Sequence, residues 1–361
     1  MSAANWDPDG EPARRAAEQG IHCIPVPTPF AVGRVNTYLI EDDPLTLLDV
    51  GPNSGRALDA LETGLAAHGR RVEDLERIVI SHQHMDHLGL VDILARRSGA
   101  EVAALGMLAP WLARYGEFQD ADDAFAEAVM ARNGIPPETR LALRSVSHAF
   151  RGWGAKATVT LPLAEGDVLR FRDRSLRVHH RPGHSPSDTV FHDPERRTLL
   201  AADHLIKHIS SNPLIARPLD APLDDPQIAR GLERPKSLVI YLESMARTRA
   251  MDDVDLILPG HGQAFTDHRS LIDERVRLHA RRAAKIHRMV AEEPRTAYEV
   301  AQKMWGNVAV TQAYLTLSEV LGHMDLLLGD GRVAEVVDAE GVVHFESLRA
   351  PAASGGPSQN V

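Results

Sequence analysis

The sequence predicts an α/β chain of two β-sheets packed together with helices outside, followed by a smaller unit of three helices and a hairpin. Three observations carry this. Short apolar runs bounded by turn residues recur through the first 266 residues, with helical stretches between them. Several of these runs end in His or Asp flanked by Gly, Pro or Ala, as strands do when they deliver polar side chains to a shared site. After Thr266 the texture changes to long helical periods and then a hairpin.

Residues 1–20 and 350–361 lack a periodic apolar face, so a flexible N-terminus and a disordered tail are expected. From Ile21 the runs IHCIPVP, VNTYLI (35–40) and LTLLDVG (45–51) read as strands, and Ala57 to Ala67 reads as a helix. ERIVISH (76–82) is a short buried strand entering a His-rich loop, with the next helix over Leu88 to Arg97. Strands resume at TVTLPL (158–163), VLRFRD (168–173), SLRVHH (175–180), TVFHD (189–193), RTLLAAD (197–203) and VDLILPGHG (254–262). Alternation of this kind suggests layered sheets with helices outside. Two insertions interrupt it. Residues 106–156 are helical and carry Trp111, Tyr115, Phe118, Phe125, Phe150 and Trp153, while 206–250 begin Pro-rich and end in the helix KSLVIYLESMART. Inserted segments beside a site often act as lids. A domain boundary is expected at about residue 267. Beyond it come a helix from Arg269 to Glu293, a capping box Thr296-Ala-Tyr-Glu299, a helix from Thr311 to Leu328, and the strands RVAEVVD and GVVHFES. Three helices and a hairpin over 267–349 make a winged-helix pattern.

Composition narrows the function. Forty basic and 50 acidic residues, net −10, give no general attraction to nucleic acid or anionic membrane. A single Cys, Cys23, excludes an intramolecular disulfide and a Cys-based zinc cluster. No apolar run approaches the roughly 18 residues of a membrane span, and the polar, acidic start is not a signal peptide. A cytoplasmic protein is expected. The 18 His residues are the unusual number.

They concentrate in Ser81-His82-Gln83-His84-Met85-Asp86-His87, directly after an apolar strand. Side chains at i and i+2 of a loop can converge on one cation, while Asp86 and His87 turn toward another. Imidazole and carboxylate suit zinc, and also iron or manganese. Partners should lie at other strand ends: His184 in Arg181-Pro-Gly-His-Ser185, Asp203 closing RTLLAAD, and His261 in Leu258-Pro-Gly-His-Gly262.

This ordered set resembles the metallo-β-lactamase fold superfamily, an αββα sandwich, over about residues 21–266. The resemblance implies one metal held by His82, His84 and His184, a second by Asp86, His87 and His261, and Asp203 bridging them. It also implies that Asp49 in LLDVG supports the ligands from outside, with Ser81 and Ser185 as turn residues supporting the ligand loops. The C-terminal part looks like the winged-helix extension of the LACTB2-like branch. No Cys stands where Asp203 does, and the bridging Asp that another lactamase subclass lacks is present, so β-lactam hydrolysis is disfavoured. The intact His-x-His-x-Asp-His with a bridging Asp looks most like glyoxalase II, lactonases, thioesterases and RNase Z-type nucleases.

The function expected is a dinuclear hydrolase. Two divalent ions, zinc first, would share a water and lower its pKa, and the hydroxide would attack an ester, thioester or lactone carbonyl. Asp86 is expected to orient that nucleophile while ligating. Lys207 and His208, after Asp203, are candidates for an anionic substrate group, and Trp111 and Tyr115 for substrate contacts. The alternatives are an RNA endonuclease, suggested by the basic run Arg275, Arg277, Arg281, Arg282, Lys285 and Arg288, and a mononuclear iron dioxygenase. Between Arg269 and Arg349 stand 11 basic and 12 acidic residues, a balance that argues against a nucleic-acid wing. His279, His287, His323 and His344 are read as surface or packing residues, and a homodimer is expected.

Overall fold

The computed structural model describes residues 6–348, and the expected tail at 350–361 lies outside them. One sheet runs in the order β1 (Ile21–Val26), β2 (Val35–Ile40), β3 (Thr46–Leu48), β4 (Arg77–Ile80), β5 (Glu101–Leu105) and β6 (Leu161–Leu163). The pairs β1–β2 and β2–β3 are antiparallel, and the rest are parallel. The second sheet contains β7 (Val168–Arg170), β8 (Ser175–His180), β9 (Thr189–Asp193), β10 (Thr198–Ala202) and β11 (Leu256–Pro259). It is antiparallel up to β10 and parallel between β10 and β11.

Side chains alternate across each strand, and the alternation sorts them into layers. Val79 of β4 joins Leu176, Val178, Phe191 and Leu200 between the sheets. Ile78 and Ile80 face the other way, toward Leu61, Leu65, Val91 and Leu94 of the helices Gly55–Ala67 and Val91–Ser98. In β10, Leu199 and Ala201 face Leu238, Tyr241 and Met245 of the helix Ser237–Arg249. Both faces of these strands are therefore buried, which is why their sequences read as unbroken apolar runs. The result is an αββα sandwich.

The first insertion holds the helices Ala109–Ala113, Tyr115–Arg132 and Pro137–Phe150. Phe125, Val129 and Met130 pack with Ile286, Val290, Leu317 and Leu321 from the C-terminal helices, so the two regions share one apolar cluster. The first C-terminal helix spans His268–Glu292, and Asp267 caps it by accepting from the Ser270 N–H at 3.0 Å. Thr296 and Glu299 form the expected capping box of Ala297–Trp305. The helix expected from Thr311 is broken: a turn at Val308–Thr311 precedes the helix Ala313–Gly329. The hairpin β13 (Val333–Val337) and β14 (Val343–Ser347) gains a short neighbour, β12 (Arg295–Thr296), giving the order β12–β14–β13.

One expectation fails within the described N-terminal residues. Residues 1–20 read as flexible, yet Glu11–Glu18 is helical and buries Ala13 and Ala16, while Trp6 meets the Tyr38 ring edge-on at 5.9 Å. The face is built from alanines, which pack closely without the large periodic side chains that mark a helix in sequence.

Candidate metal centre

Every sequence-predicted ligand, and the Asp49 expected to support them, follows the C-terminal end of a strand. Asp49 follows β3, the His82–His87 run follows β4, His184 follows β8, Asp203 follows β10 and His261 follows β11. Open α/β sheets characteristically place their sites outside the carboxyl ends of strands. The His-rich run changes conformation midway. His84 is extended and caps the helical turn Met85–Leu88, so Asp86 and His87 leave the helix in another direction from His82 and His84.

This splits the ligands into two groups. Nitrogens of His82, His84 and His184 converge, with His82 Nε2 3.1 Å and His184 Nε2 2.9 Å from His84 Nδ1. Asp86, His87 and His261 form the second group, with His261 Nε2 3.4 Å from Asp86 Oδ2. Asp203 stands between them. Its Oδ1 lies 3.5 Å from His87 Nε2, and its Oδ2 lies 3.5 Å from both His184 Nε2 and His261 Nε2.

The remaining ring nitrogens show why these edges point inward. His87 Nδ1 donates to Asp49 Oδ2 at 2.8 Å, His184 Nδ1 to the Asn212 carbonyl at 3.0 Å, and His261 Nδ1 to the Arg34 carbonyl at 2.8 Å. His82 Nδ1 meets Ser81 Oγ at 2.9 Å, and that hydroxyl donates to Asp49 Oδ2 at 2.7 Å. Asp49 therefore orients two imidazoles at once, and its Oδ1 also accepts the Ser81 N–H at 2.8 Å. Each bond fixes a tautomer whose lone pair faces the centre, the arrangement seen around metal-bound histidines. Ser185 is likewise a turn support, its hydroxyl donating to Asp188 Oδ1 at 3.1 Å; burial pushes Asp188 up to about 6.

Electrostatics point the same way. Burial and neighbouring imidazoles hold His82 well below its ordinary range and His84 at about 3, so both offer free lone pairs at neutral pH. Burial also opposes charge on His87 and His261. Both are nonetheless raised, His261 to about 10, by Asp203 and Asp86, with Asp49 adding to His87. Asp86 is lowered to about 2 and Asp203 well below the usual carboxylate range, against their burial, by those same histidines. A pocket that stabilises positive charge against burial is one that suits a cation. Two atoms test the fit directly. His87 Nε2 and Asp203 Oδ1 are buried and have no hydrogen-bond partner, although buried polar atoms are nearly always satisfied. Divalent ions at the two groups would satisfy both.

Backbone geometry is special here. Asp49 (φ 56°) and Ala202 (φ 42°) are non-glycine residues in the left-handed region, each at a strand end feeding the centre. Gly260, beside His261, has no room for a side chain, since a Cβ there would lie 2.2 Å from Asp203 Oδ1.

Sequence reasoning missed the clamp on the His261 turn. Asn36 Nδ2 donates to the carbonyls of Pro259 and Gly262, each at 2.9 Å, and the Tyr38 hydroxyl to Pro259 at 2.7 Å. The signal was an amide inside the apolar strand VNTYLI. Lys207 and His208 are exposed on the loop after Asp203, and His208 is near enough to feel the charges of His261 and Asp203. Trp111 is a correction: it is 2% exposed and its indole N–H donates to Asp122 at 3.0 Å, so it presents neither face nor donor to a substrate. Tyr115 packs on Trp111 and donates to the Arg151 carbonyl at 3.0 Å, which commits it to the insertion as well. Trp111 and Phe118 join the apolar layer of the helices beside β4, and Phe125 the cluster shared with the C-terminal helices. Of the basic run, Arg275 is buried and Arg282 pairs with Glu319.

Residues 31–261 match the metallo-beta-lactamase superfamily. Among curated proteins, the chain is 31% identical to the "Probable metallo-hydrolase YqjP" of Bacillus subtilis, over 92% of this chain and 99% of that protein. It is 28% identical to the human "Acyl-coenzyme A thioesterase MBLAC2", over 56% of this chain and 68% of that one. Among solved structures, a metallo-beta-lactamase family protein of Thermus thermophilus aligns with a TM-score of 0.72 at 26% identity, covering 91% of this chain and 98% of its own. A beta-lactamase domain protein of Burkholderia ambifaria aligns at 0.74 and 25%, covering 91% and 92%.

Proposed function

This chain belongs to the metallo-beta-lactamase superfamily and is a metal-dependent hydrolase of it, and we propose that its substrate is a small thioester, ester or lactone. The observation that carries the dinuclear reading is the pair of three-ligand groups meeting at Asp203. A mononuclear iron dioxygenase would fill one of these groups, and metal analysis separates the two readings: about two zinc per chain for the hydrolase, one iron for the dioxygenase. We assign His82, His84 and His184 to one ion, Asp86, His87 and His261 to the other, and Asp203 to both. The choice of acyl substrate is supported by the thioesterase among the relatives, in keeping with the glyoxalase II-like branch.

Zinc ions bound there would supply Lewis acidity, lowering the pKa of water toward about 7 and polarising a carbonyl oxygen. The protein's own groups do the positioning. Asp86, ionised throughout the neutral range, accepts a hydrogen bond from the attacking water and so orients it. Asp49, through Ser81 and His87, holds an imidazole of each group to one carboxylate, keeping the two sites in register. Lys207 and His208, exposed on the loop after Asp203, are the candidates to meet an anionic part of the substrate. Serine nucleophiles are not needed, since the Ser81 and Ser185 hydroxyls are committed to Asp49 and Asp188. Of the basic run, Arg275 and Arg282 are engaged within the protein while Arg277, Arg281, Lys285 and Arg288 stay exposed, and what weighs against RNA is the near-even charge of residues 269–349.

A chelator-stripped sample should lose hydrolysis of acyl-coenzyme A and glutathione thioesters, lactones or simple esters, and zinc should restore it. His84→Ala should be inactive even when zinc is supplied. Full turnover by either the stripped protein or the variant would sink the proposal. Cleavage of RNA, with no acyl substrate turned over, would replace it with the nuclease.

A further inference from the structure

Arg275 lies in the His268–Glu292 helix as the first residue of its basic run, yet its side chain is only 10% exposed. Its Nη2 points at three backbone carbonyls of the loop after Asp203: Ile206 at 3.4 Å, Lys207 at 2.8 Å and Ile209 at 3.1 Å. Nη1 lies 3.4 Å from Glu274. Inward carbonyls without a donor are costly, so the guanidinium beneath this loop holds it to its path.

The loop then returns to the metal centre. Ser211 Oγ donates to the carbonyl of Asp203 at 2.5 Å. The next residue, Asn212, gives its carbonyl to His184 Nδ1 at 3.0 Å. The Asn212 side chain donates to the Leu315 carbonyl at 3.0 Å, and the Tyr314 hydroxyl to the Ile215 carbonyl at 2.6 Å, both in the helix Ala313–Gly329. A ligand from each of two strand ends is thus tied, through one loop, to two helices far along the chain.

We propose that Arg275 is a positioning residue: by gathering the 206–209 carbonyls it holds His184 and Asp203 in place for metal binding, making the C-terminal helices a support of the metal centre. This rests on the ligand assignment above. Without the guanidinium the loop turns its carbonyls to water, Asn212 moves, and His184 loses the acceptor that fixes its tautomer. Loss of such outer partners weakens metal binding by about 10–100-fold.

The geometry distinguishes this role from simple packing. One nitrogen serves all three carbonyls, so the ammonium of Arg275→Lys, with three donors, should replace it, whereas Arg275→Met keeps only the apolar stem. Stripped full-length protein would be titrated with Zn2+ against a chromophoric chelator, and its Co2+-loaded form examined by visible absorption. Arg275→Met should lose about 10–100-fold in zinc affinity and shift the cobalt bands, with Arg275→Lys close to wild type. Equal affinities and spectra for wild type and Arg275→Met overturn the proposal, and so does a lysine variant no better than methionine. Should Arg275→Met fail to fold, Ser211→Ala removes only the hydroxyl link to Asp203, and undiminished zinc affinity there overturns it equally. His84→Ala serves as the control. If that variant still binds two zinc ions, the ligand assignment has failed and the proposal falls with it, whereas a defective His84→Ala beside an unaffected Arg275→Met overturns the role of Arg275 alone.

Discussion

At the scale of single residues, Asp49 does the most with the least. One carboxylate accepts the Ser81 N–H, the Ser81 hydroxyl and the His87 imidazole, and through that hydroxyl it reaches His82. It also sits at φ 56°, which Asn tolerates as well as Asp. Asp49→Asn therefore leaves the backbone alone and removes only the charge and an acceptor. Its zinc affinity should fall about 10–100-fold by competition titration, with the far-ultraviolet circular dichroism unchanged. Residues of this kind were legible in the sequence where a side chain carries the signal: the His82–His87 run, Asp203, and the Gly-flanked His184 and His261. What stayed hidden was the work done by backbone. The carbonyls of Arg34 and Asn212 orient His261 and His184, and any residue type could have supplied them.

At the scale of elements, a buried ion pair ties the two sheets. Asp42, just after β2, meets Arg174, just before β8, at 3.1 Å, with side chains 1% and 4% exposed. Burial opposes the Asp42 charge, but the Asp43 N–H, the Arg174 guanidinium and the Asp173 N–H together hold its carboxyl below the usual range. A carboxyl lowered by folding adds stability above its unfolded value of about 3.9, and that stability fades as pH falls through the folded value. Asp42→Asn leaves Arg174 buried without its counter-charge and should cost about 3 kcal/mol in urea unfolding at pH 7. The gap to wild type should narrow below about pH 4, and a gap independent of pH would contradict the assignment. Element boundaries were mostly readable because strands buried on both faces are contiguous apolar runs. The N-terminal helix was not, because alanine packs without advertising a face, and the aromatic insertion suggested a substrate wall where Trp111 in fact closes a core.

At the scale of the whole molecule, metal and fold are coupled. The ligands come from four separate strand ends across both sheets, with Asp49 supporting them from a fifth, so ions binding the folded chain alone shift unfolding by mass action. At a free zinc concentration about 100 times Kd the gain is about 2.7 kcal/mol per site. A stripped sample should therefore gain several degrees in Tm as zinc is added, in a concentration-dependent way, while His84→Ala gains less. A melting curve indifferent to zinc would contradict a centre built across both sheets. The C-terminal region enters the same balance, since its helices share a core with the first insertion and grip the loop beyond Asp203. Its local charge balance already disfavoured a nucleic-acid surface, but only folding shows where Arg275 goes.

Ala202 sets a limit on how durable this molecule can become. Holding an alanine at φ 42° costs on the order of 1 kcal/mol. Glycine would adopt that conformation freely, but it would also let the peptide that carries Asp203 swing. The chain tolerates a standing tension at the end of β10, and a search for heat-resistant variants would be drawn to this position first. Relaxing it would trade the fixed aim of one carboxylate for a longer life at temperature.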